Sequence, residues 1–204
     1  CPGPLDPKNG VVNAPPQLPR WDGFRLAEEL RAALKTPIYM ENDANLGALG
    51  EAVAGGDPAS KNLFYMTVST GIGVGIVNEG RILSGARGLA GECWSFQPGL
   101  FFADIPGEMQ KLQGFDIGEF AAGRGMVRYC RELIAAGEQT TIPADDVSTY
   151  TIIAAWREGD SLAERVLERS RTTLAAALSF IVTVIDPEEI VLGGGLCVDE
   201  EWIV

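Results

Sequence analysis

The sequence contains no histidine. This absence excludes a Ser-His-Asp triad, a Cys-His nucleophile pair and a histidine-ligated zinc site built from this chain alone. A general base would therefore have to be Asp, Glu, Lys, Tyr or Cys.

Cysteine is scarce as well. The four cysteines, Cys1, Cys93, Cys130 and Cys197, are scattered along the chain and form no Cys-x-x-Cys motif. This distribution is more typical of reduced thiols in a cytosolic protein than of a disulfide framework. We therefore expect a cytoplasmic protein.

Basic residues are outnumbered. The 204 residues include 16 Lys and Arg against 28 Asp and Glu, a net charge of -12. A surface that binds a nucleic-acid duplex needs clustered Lys and Arg, so we expect no nucleic-acid partner. The longest mostly apolar stretch, residues 174–185, is too short to span a bilayer, so we expect no membrane partner either.

What the sequence does contain is a carboxylate at a predicted junction between a strand and a helix. Pro37–Met40 predicts a buried strand, and the small apolar residues at 46–54 predict a helix. Asp43 lies between them, where ligands bind in open α/β sheets. The alternative interpretation is that Asp43 or Asn42 only caps the helix.

Two glycine-rich segments follow predicted strands. Residues 63–68 predict a strand that leads into Ser69–Gly75 and a hairpin with its turn at 78–80. Glycines beside a hydroxyl let backbone N–H groups approach a phosphate, although a flexible loop that binds nothing would have the same pattern. A second segment, Gly193–Gly195, follows a predicted strand at 189–192. It could let a ligand lie against its backbone or form a tight turn.

The remaining segments have simpler predictions. A glycine-rich loop at 85–92 carries Glu92, residues 93–118 show no clear pattern, and a domain boundary is predicted at 55–60. Amphipathic spacing predicts helices at 24–35, 119–136, 149–158 and 161–185.

In this order, the segments resemble the ROK family of sugar kinases, repressors and related proteins. The resemblance covers nearly the whole chain, and five segments in register make it specific. The matching segments are Glu41–Asn45 with Ala48–Glu51, Thr70–Gly73, Gly91–Glu92, Ala154–Ala155 with Gly159–Asp160, and Asp186–Pro187 with Ile190–Gly195.

The resemblance implies an α/β protein with the actin-like ATPase (ribonuclease H-like) fold, in which two domains flank a cleft. Residues 1–57 would be the later part of the smaller N-terminal domain, and 58–204 most of the larger one. The family's first phosphate loop would precede Cys1, and its closing helix would follow residue 204. We therefore expect an internal fragment that does not turn over ATP by itself.

The resemblance also implies a function: ATP-dependent phosphorylation of a hexose such as glucose, with Mg²⁺ and in a homodimer or larger homo-oligomer. Asp43 matches the catalytic base. The residues that match sugar ligands are Asn42, Glu92 and, about one residue out of register, Glu119. The residues that match ATP-binding positions are Ser69, Thr70, Gly71, Ile72, Gly73 and Gly194.

Two departures from the family pattern leave alternatives open. The zinc-binding His is replaced by Ser95 or a neighbour, and no cysteine lies between Cys93 and Cys130, so we expect no zinc. A sugar-binding His is also missing. A non-catalytic sugar-sensing domain of a ROK repressor is the main alternative, and a degenerate enzyme that serves only in oligomers is a third. A phosphate loop before Cys1 would indicate a kinase, and a helix-turn-helix a repressor.

Overall fold

A computed structural model describes residues 1, 3–13, 15, 18–54, 62–86, 88–93, 116–198 and 200–203. The predicted boundary at 55–60 and most of the irregular segment 93–118, including Ser95, lie outside the described residues. The strands are β1 Leu5–Asp6, β2 Val11–Val12, β3 Leu63–Val68, β4 Ile72–Asn78, β5 Arg81–Ile82 and β6 Glu189–Gly193. The helices are α1 Leu26–Leu34, α2 Asp43–Ala54, α3 Gly118–Ala121, α4 Gly123–Ala135, α5 Thr149–Arg157 and α6 Ser161–Ile185.

The chain forms two compact units that interleave along the sequence. Unit 1 comprises Cys1–Met66, Gly73–Glu92 and Pro187–Val191, and unit 2 comprises Thr67–Ile72, Cys93–Asp186 and Leu192–Val204. The division into domains at 1–57 and 58–204 stays a prediction.

Strands β3 to β6 form one sheet in the order β5-β4-β3-β6, and β1 and β2 form a separate antiparallel pair. The predicted hairpin is confirmed: β4 and β5 are antiparallel, with Val77 opposite Ile82. Its turn residues Glu79 and Gly80 both have left-handed backbone, with φ of 50° and 72°. This geometry matches the twist of the flanking strands.

Helix α2 packs against β4 through small residues. Ala44, Ala48 and Ala52 are buried on one face of the helix. A Cβ on Gly75 of β4 would lie 2.4 Å from the carbonyl oxygen of Ala44, which is closer than any side chain can approach. The predicted helix at 46–54 is therefore confirmed, and its first turn is held against the strand because both surfaces lack bulk.

The predicted buried strand at Pro37–Met40 is wrong. These four residues have no regular secondary structure, and the Tyr39 side chain is 93% exposed. An apolar run becomes a strand only where a partner strand and a covering layer exist, and no described strand pairs with this segment. Helix α1 is present as predicted, but only Ala27 of its apolar face is buried.

The helices of unit 2 lie close to their predicted bounds, with one exception. Helix α6 has its predicted bounds and ends at Asp186 in left-handed backbone, one residue before Pro187. The single helix predicted at 119–136 is two helices, because Ala122 is extended at φ -89° and ψ 169°. Ser170 of α6 donates to the carbonyl oxygen of Ala121 at 2.8 Å and anchors this break. None of the described helices is long and apolar enough to cross a membrane.

Asp160 starts α6 and ties the preceding loop to it. Its Oδ1 accepts from the amides of Leu162 and Ala163 at 2.9 and 3.0 Å, and Oδ2 accepts from the Thr141 amide at 2.6 Å. Burial alone would raise the pKa of Asp160, but hydrogen bonds from Thr141, Ala163 and Thr140 lower it to about 2. The ionised form is therefore the one that the folded state stabilises.

We expect Asp160→Ala to lower the free energy of unfolding by about 1–2 kcal/mol at pH 7, the range for a lost helix cap. Because the folded pKa lies below the unfolded value, this stabilisation is complete above about pH 4 and is lost as the pH falls toward 2. Denaturant melts at several pH values measure it. Asp145→Ala, at an exposed residue nearby, is the control, and equal effects of the two substitutions would contradict the assignment.

Candidate functional site

Asn42 and Asp43 have different roles at the start of α2. The Oδ1 atom of Asn42 accepts from the amides of Ala44 and Asn45 at 2.8 and 3.3 Å, so Asn42 is the helix cap. Asp43 is the first helical residue and is exposed. Its Oδ1 also accepts from the Ala44 amide, at 3.0 Å, and its own amide donates to the carbonyl oxygen of Cys1 at 3.2 Å. Capping therefore does not require the Asp43 carboxylate.

Glu41 and Asn45 brace this turn, a role that the sequence analysis missed. Oε1 of Glu41 accepts from the Asn42 amide and from Nδ2 of Asn45, both at 2.9 Å. Asn45 is only 7% exposed, and among the described residues its Oδ1 has no hydrogen-bond partner. Glu41 precedes the helix and Asn45 lies in its first turn, so the contact joins the two sides of the cap.

Two predicted sugar ligands, Asn42 and Glu92, lie close to one point in unit 1. A Cβ on Gly3 would be 2.7 Å from Nδ2 of Asn42 and 2.8 Å from Oε1 of Glu92. Glu92 follows Gly91, whose φ of 84° and close approach to the Val74 carbonyl oxygen leave no room for a side chain. The site thus presents a donor and an acceptor together, which is the pairing that a sugar hydroxyl can satisfy.

The glycine-rich loop after β3 lies in unit 2 and is tied to the start of α4. The amide of Ser69 donates to the Gly71 carbonyl oxygen at 2.9 Å, which closes the loop on itself. The amides of Gly123 and Arg124 donate to the carbonyl oxygens of Ser69 and Thr70 at 2.8 and 3.2 Å. Three backbone hydrogen bonds therefore define the shape of this turn.

Gly194 permits the turn after β6. Its φ is 93°, and a Cβ would lie 2.5 Å from the Val68 carbonyl oxygen and 2.6 Å from Oγ1 of Thr67. The amide of Leu196 donates to the same carbonyl oxygen at 3.1 Å. Backbone is thus packed directly on backbone at the end of β3, which agrees with the tight turn that was one of the two alternatives for the triple glycine.

A cavity of about 1040 Å³ lies in unit 2 beside both segments. Ser69, Thr70 and Gly195 line it, whereas Gly71, Ile72, Gly73 and Gly194 do not. Its charged lining among the described residues comprises four arginines and one carboxylate: Arg124, Arg128, Arg131, Arg157 and Glu132. These arginines were not predicted as site residues, although Arg124, Arg128 and Arg131 recur every three to four residues on a predicted helix and so share a face.

Glu119 also lies in unit 2, between two of those arginines. Its Oε2 accepts from Nε of Arg128 at 3.0 Å, and its Oε1 forms an ion pair with Nε of Arg124 at 2.9 Å. A sugar at Glu119 would compete with these guanidinium groups. The role of Glu119 as a sugar ligand stays a prediction.

Metal-binding chemistry has little support in the described part of the chain. No group of three or more Cys, Asp or Glu side chains there could hold a metal ion. Burial raises the pKa of the Cys197 thiol, and it raises that of Cys130 to about 11. Both thiols are therefore protonated at neutral pH and poor ligands. Residues 94–115 lie outside the described residues, so the absence of zinc stays a prediction.

We expect Gly194→Ala to lower the free energy of unfolding by about 1–3 kcal/mol, because alanine is strained at positive φ and its methyl would meet the backbone of β3. Thermal or denaturant unfolding measures this. Gly195→Ala is the matched control, since no described atom lies within 4 Å of a Cβ there. A Gly194→Ala protein as stable as Gly195→Ala would contradict the observed packing.

Comparison with known proteins identifies the chain's family. The sequence matches the ROK family over residues 1–203. The chain belongs to the ROK family. It is 29% identical to the beta-glucoside kinase of Listeria monocytogenes, over 96% of this chain and 63% of the relative. It is 28% identical to the N-acetylglucosamine repressor of Escherichia coli, over 95% of this chain and 46% of the relative.

Solved structures agree with this ROK assignment. A ROK hexokinase from Thermus thermophilus is 32% identical, with a TM-score of 0.75 over 98% of this chain and 63% of its own. A ROK glucokinase from Streptomyces griseus, in complex with glucose and AMPPNP, is 25% identical. Its TM-score is 0.78, and the match covers 98% of this chain and 65% of the glucokinase. The predicted α/β, actin-like ATPase fold is thereby confirmed. The chain spans about three fifths of the length of the kinases it matches.

Proposed function

We propose that this ROK protein is an ATP-dependent hexose kinase of glucokinase type, with Asp43 as its general base. The observation that carries the proposal is the division of roles at the start of α2. Asn42 caps the helix, so the carboxylate of Asp43 is exposed and available for proton transfer. The similarity to a beta-glucoside kinase, a hexokinase and a glucokinase supports the same reaction class.

The acceptor side of the reaction would be in unit 1. A sugar hydroxyl is a poor nucleophile, and a carboxylate within hydrogen-bond reach can remove its proton as the oxygen attacks phosphorus. In the proposal the proton passes to Asp43. Nδ2 of Asn42 and Oε1 of Glu92, both close to the Cβ position of Gly3, hold other hydroxyls of the same hexose.

The donor side would be in unit 2. The cavity of about 1040 Å³ is at the upper end of the usual range for small-molecule sites and is large enough for ATP. Its arginines complement a polyphosphate, and Ser69, Thr70 and Gly195 bring backbone to the wall of the same cavity, where a phosphate can approach it. Mg²⁺ on the donor phosphates would neutralise charge. Because Mg²⁺ is commonly held by phosphates and water, we assign it no protein ligand.

Cellular context belongs to the proposal as well. The four cysteines, all in the described part of the chain, form no disulfide with one another, which supports a cytoplasmic location. A homodimer or larger homo-oligomer and the absence of a nucleic-acid partner remain expectations.

A sugar-sensing domain of a repressor is the second candidate. Two observations favour it: the similarity to the N-acetylglucosamine repressor and the pairing of Glu119 with two arginines. A sensor needs neither a base nor a phosphate site, so the exposed Asp43 favours the kinase. ADP release by the full-length protein across a panel of hexoses separates the two, because a sensor would bind sugar without releasing ADP.

We expect Asp43→Asn in the full-length protein to lower kcat by about 10²–10⁴-fold, the usual range for loss of a general base. Sugar affinity should change little, since the amide oxygen can still accept from a hydroxyl. Stability should also change little, because Asn42 caps the helix. Steady-state kinetics, sugar binding and thermal unfolding measure the three quantities.

Glu29→Gln is the control for Asp43→Asn, since Glu29 is an exposed acid in the first turn of α1. Its kcat should match that of the unmodified protein. An Asp43→Asn protein with normal kcat and normal stability would falsify the catalytic assignment and favour the sensor.

A further inference from the structure

Arg124 is joined to the Ser69–Gly71 turn by its main chain. Its amide donates to the Thr70 carbonyl oxygen at 3.2 Å, directly after the bond from Gly123 to Ser69. The residue also lines the cavity that the proposed function assigns to the phosphate donor. Any movement of the turn would therefore move Arg124 with it.

The guanidinium group of Arg124 is held by two carboxylates. Nη2 donates to both carboxylate oxygens of Asp116 at 2.6 Å, and Nε lies 2.9 Å from Oε1 of Glu119. A Cβ on Gly118 would be 2.8 Å from Nη2, so the backbone at Gly118 also closes around the group. Nε contacts Glu119 as an ion pair but makes no hydrogen bond within the described residues. The two hydrogen bonds of Nη2 to Asp116, together with this ion pair, therefore orient the planar guanidinium.

The third nitrogen, Nη1, makes no hydrogen bond to any described residue, and it lies 3.9 Å from the Cβ position of Gly71. Its N–H groups are thus beside the turn that would receive the phosphates. Arg128 is different: Nε and Nη2 bind Glu119, and Nη1 binds Glu132 at 2.6 Å. Of these two neighbours, only Arg124 keeps a charged donor available.

We propose that Arg124 is a further catalytic residue, whose Nη1 donates to the phosphoryl group as it is transferred; this inference rests on the proposed kinase function. The bond from the γ-phosphorus to the β–γ bridging oxygen breaks, and its electron pair stays with ADP. The sugar oxygen bonds to phosphorus, and its proton passes to Asp43. Arg124 exchanges no proton and stabilises the charge on the transferring oxygens, a contribution that is largest when the donor is held in place beforehand.

The test compares Arg124→Lys and Arg124→Gln in the full-length protein. Both should lower kcat by about 10²-fold or more, the effect of losing one preorganised donor at a developing charge, while KM for the sugar changes less than about threefold. Lysine keeps the charge but not the fork that Asp116 and Glu119 hold, so it should not restore kcat. Arg165→Gln is the control, since this exposed arginine of α6 pairs with Glu138 and does not line the cavity.

A second readout separates catalysis from structural support. ADP with aluminium fluoride and sugar mimics the transferring phosphoryl group, so Arg124→Lys should weaken inhibition by this mixture at least tenfold more than it weakens inhibition by ADP alone. Guanidinium ion should partly restore kcat to Arg124→Ala. Equal weakening of both inhibitors without rescue would overturn the proposal and leave Arg124 a structural residue.

Failure of the inference and failure of the kinase function give different results. If the unmodified protein releases no ADP with any hexose, the proposed kinase function is wrong. If the unmodified protein is active and Arg124→Gln keeps kcat within about threefold of it, only the catalytic role of Arg124 is wrong. If Arg124→Gln does not fold, Arg124→Lys and the inhibitor comparison decide the question.

Discussion

The contact on which the candidate acceptor site depends is the approach of α2 to β4 at Gly75. The carbonyl oxygen of Ala44 lies 2.4 Å from where a Cβ on Gly75 would be, so helix and strand backbones meet with nothing between them. Ala48 and Ala52 continue the same surface into the core. This packing fixes the first turn of α2, and with it the positions of Asn42 and Asp43. Small residues here are a steric requirement, since one methyl group at Gly75 would push the helix away.

A second constraint operates in unit 2, where backbone hydrogen bonds connect the Ser69–Gly71 turn to α4. The first two amides of a helix have no partner within the helix, and here they bind the carbonyl oxygens of the turn. Helix and turn are therefore positioned together, and the arginines of α4 line the adjacent cavity. Four of the 16 Lys and Arg residues of this acidic chain line one cavity, beside a single carboxylate among the described lining residues. Net charge alone could not show that.

Local patterns predicted most of the fold, and they failed where a segment needed a partner. Helix α6 has its predicted bounds because a capping Asp160, an amphipathic repeat and Pro187 all act within the segment. Pro37–Met40 is not a strand, since an apolar tetrapeptide has no strand-forming tendency strong enough without a neighbour to pair with. The break at Ala122 was likewise missed, because it is stabilised from outside by Ser170 of α6. The residues around Ala122 do not predict this contact, because its donor lies on a distant helix.

By itself, the sequence determined the family, the order of the elements and the residue types available for chemistry. The absence of histidine leaves Asp, Glu, Lys, Tyr or Cys as a possible base, and the positive φ at Gly91 and Gly194 favours glycine at both turns. Only the tertiary structure decided that Asn42 and not Asp43 caps α2, that Glu119 is paired with two arginines, and that Arg124 lies beside the Ser69–Gly71 turn. Each of these depends on which atom of a side chain finds a partner. Spacing along a chain specifies which residues can share a face, whereas hydrogen bonding and burial between distant segments specify which atoms remain available for a ligand.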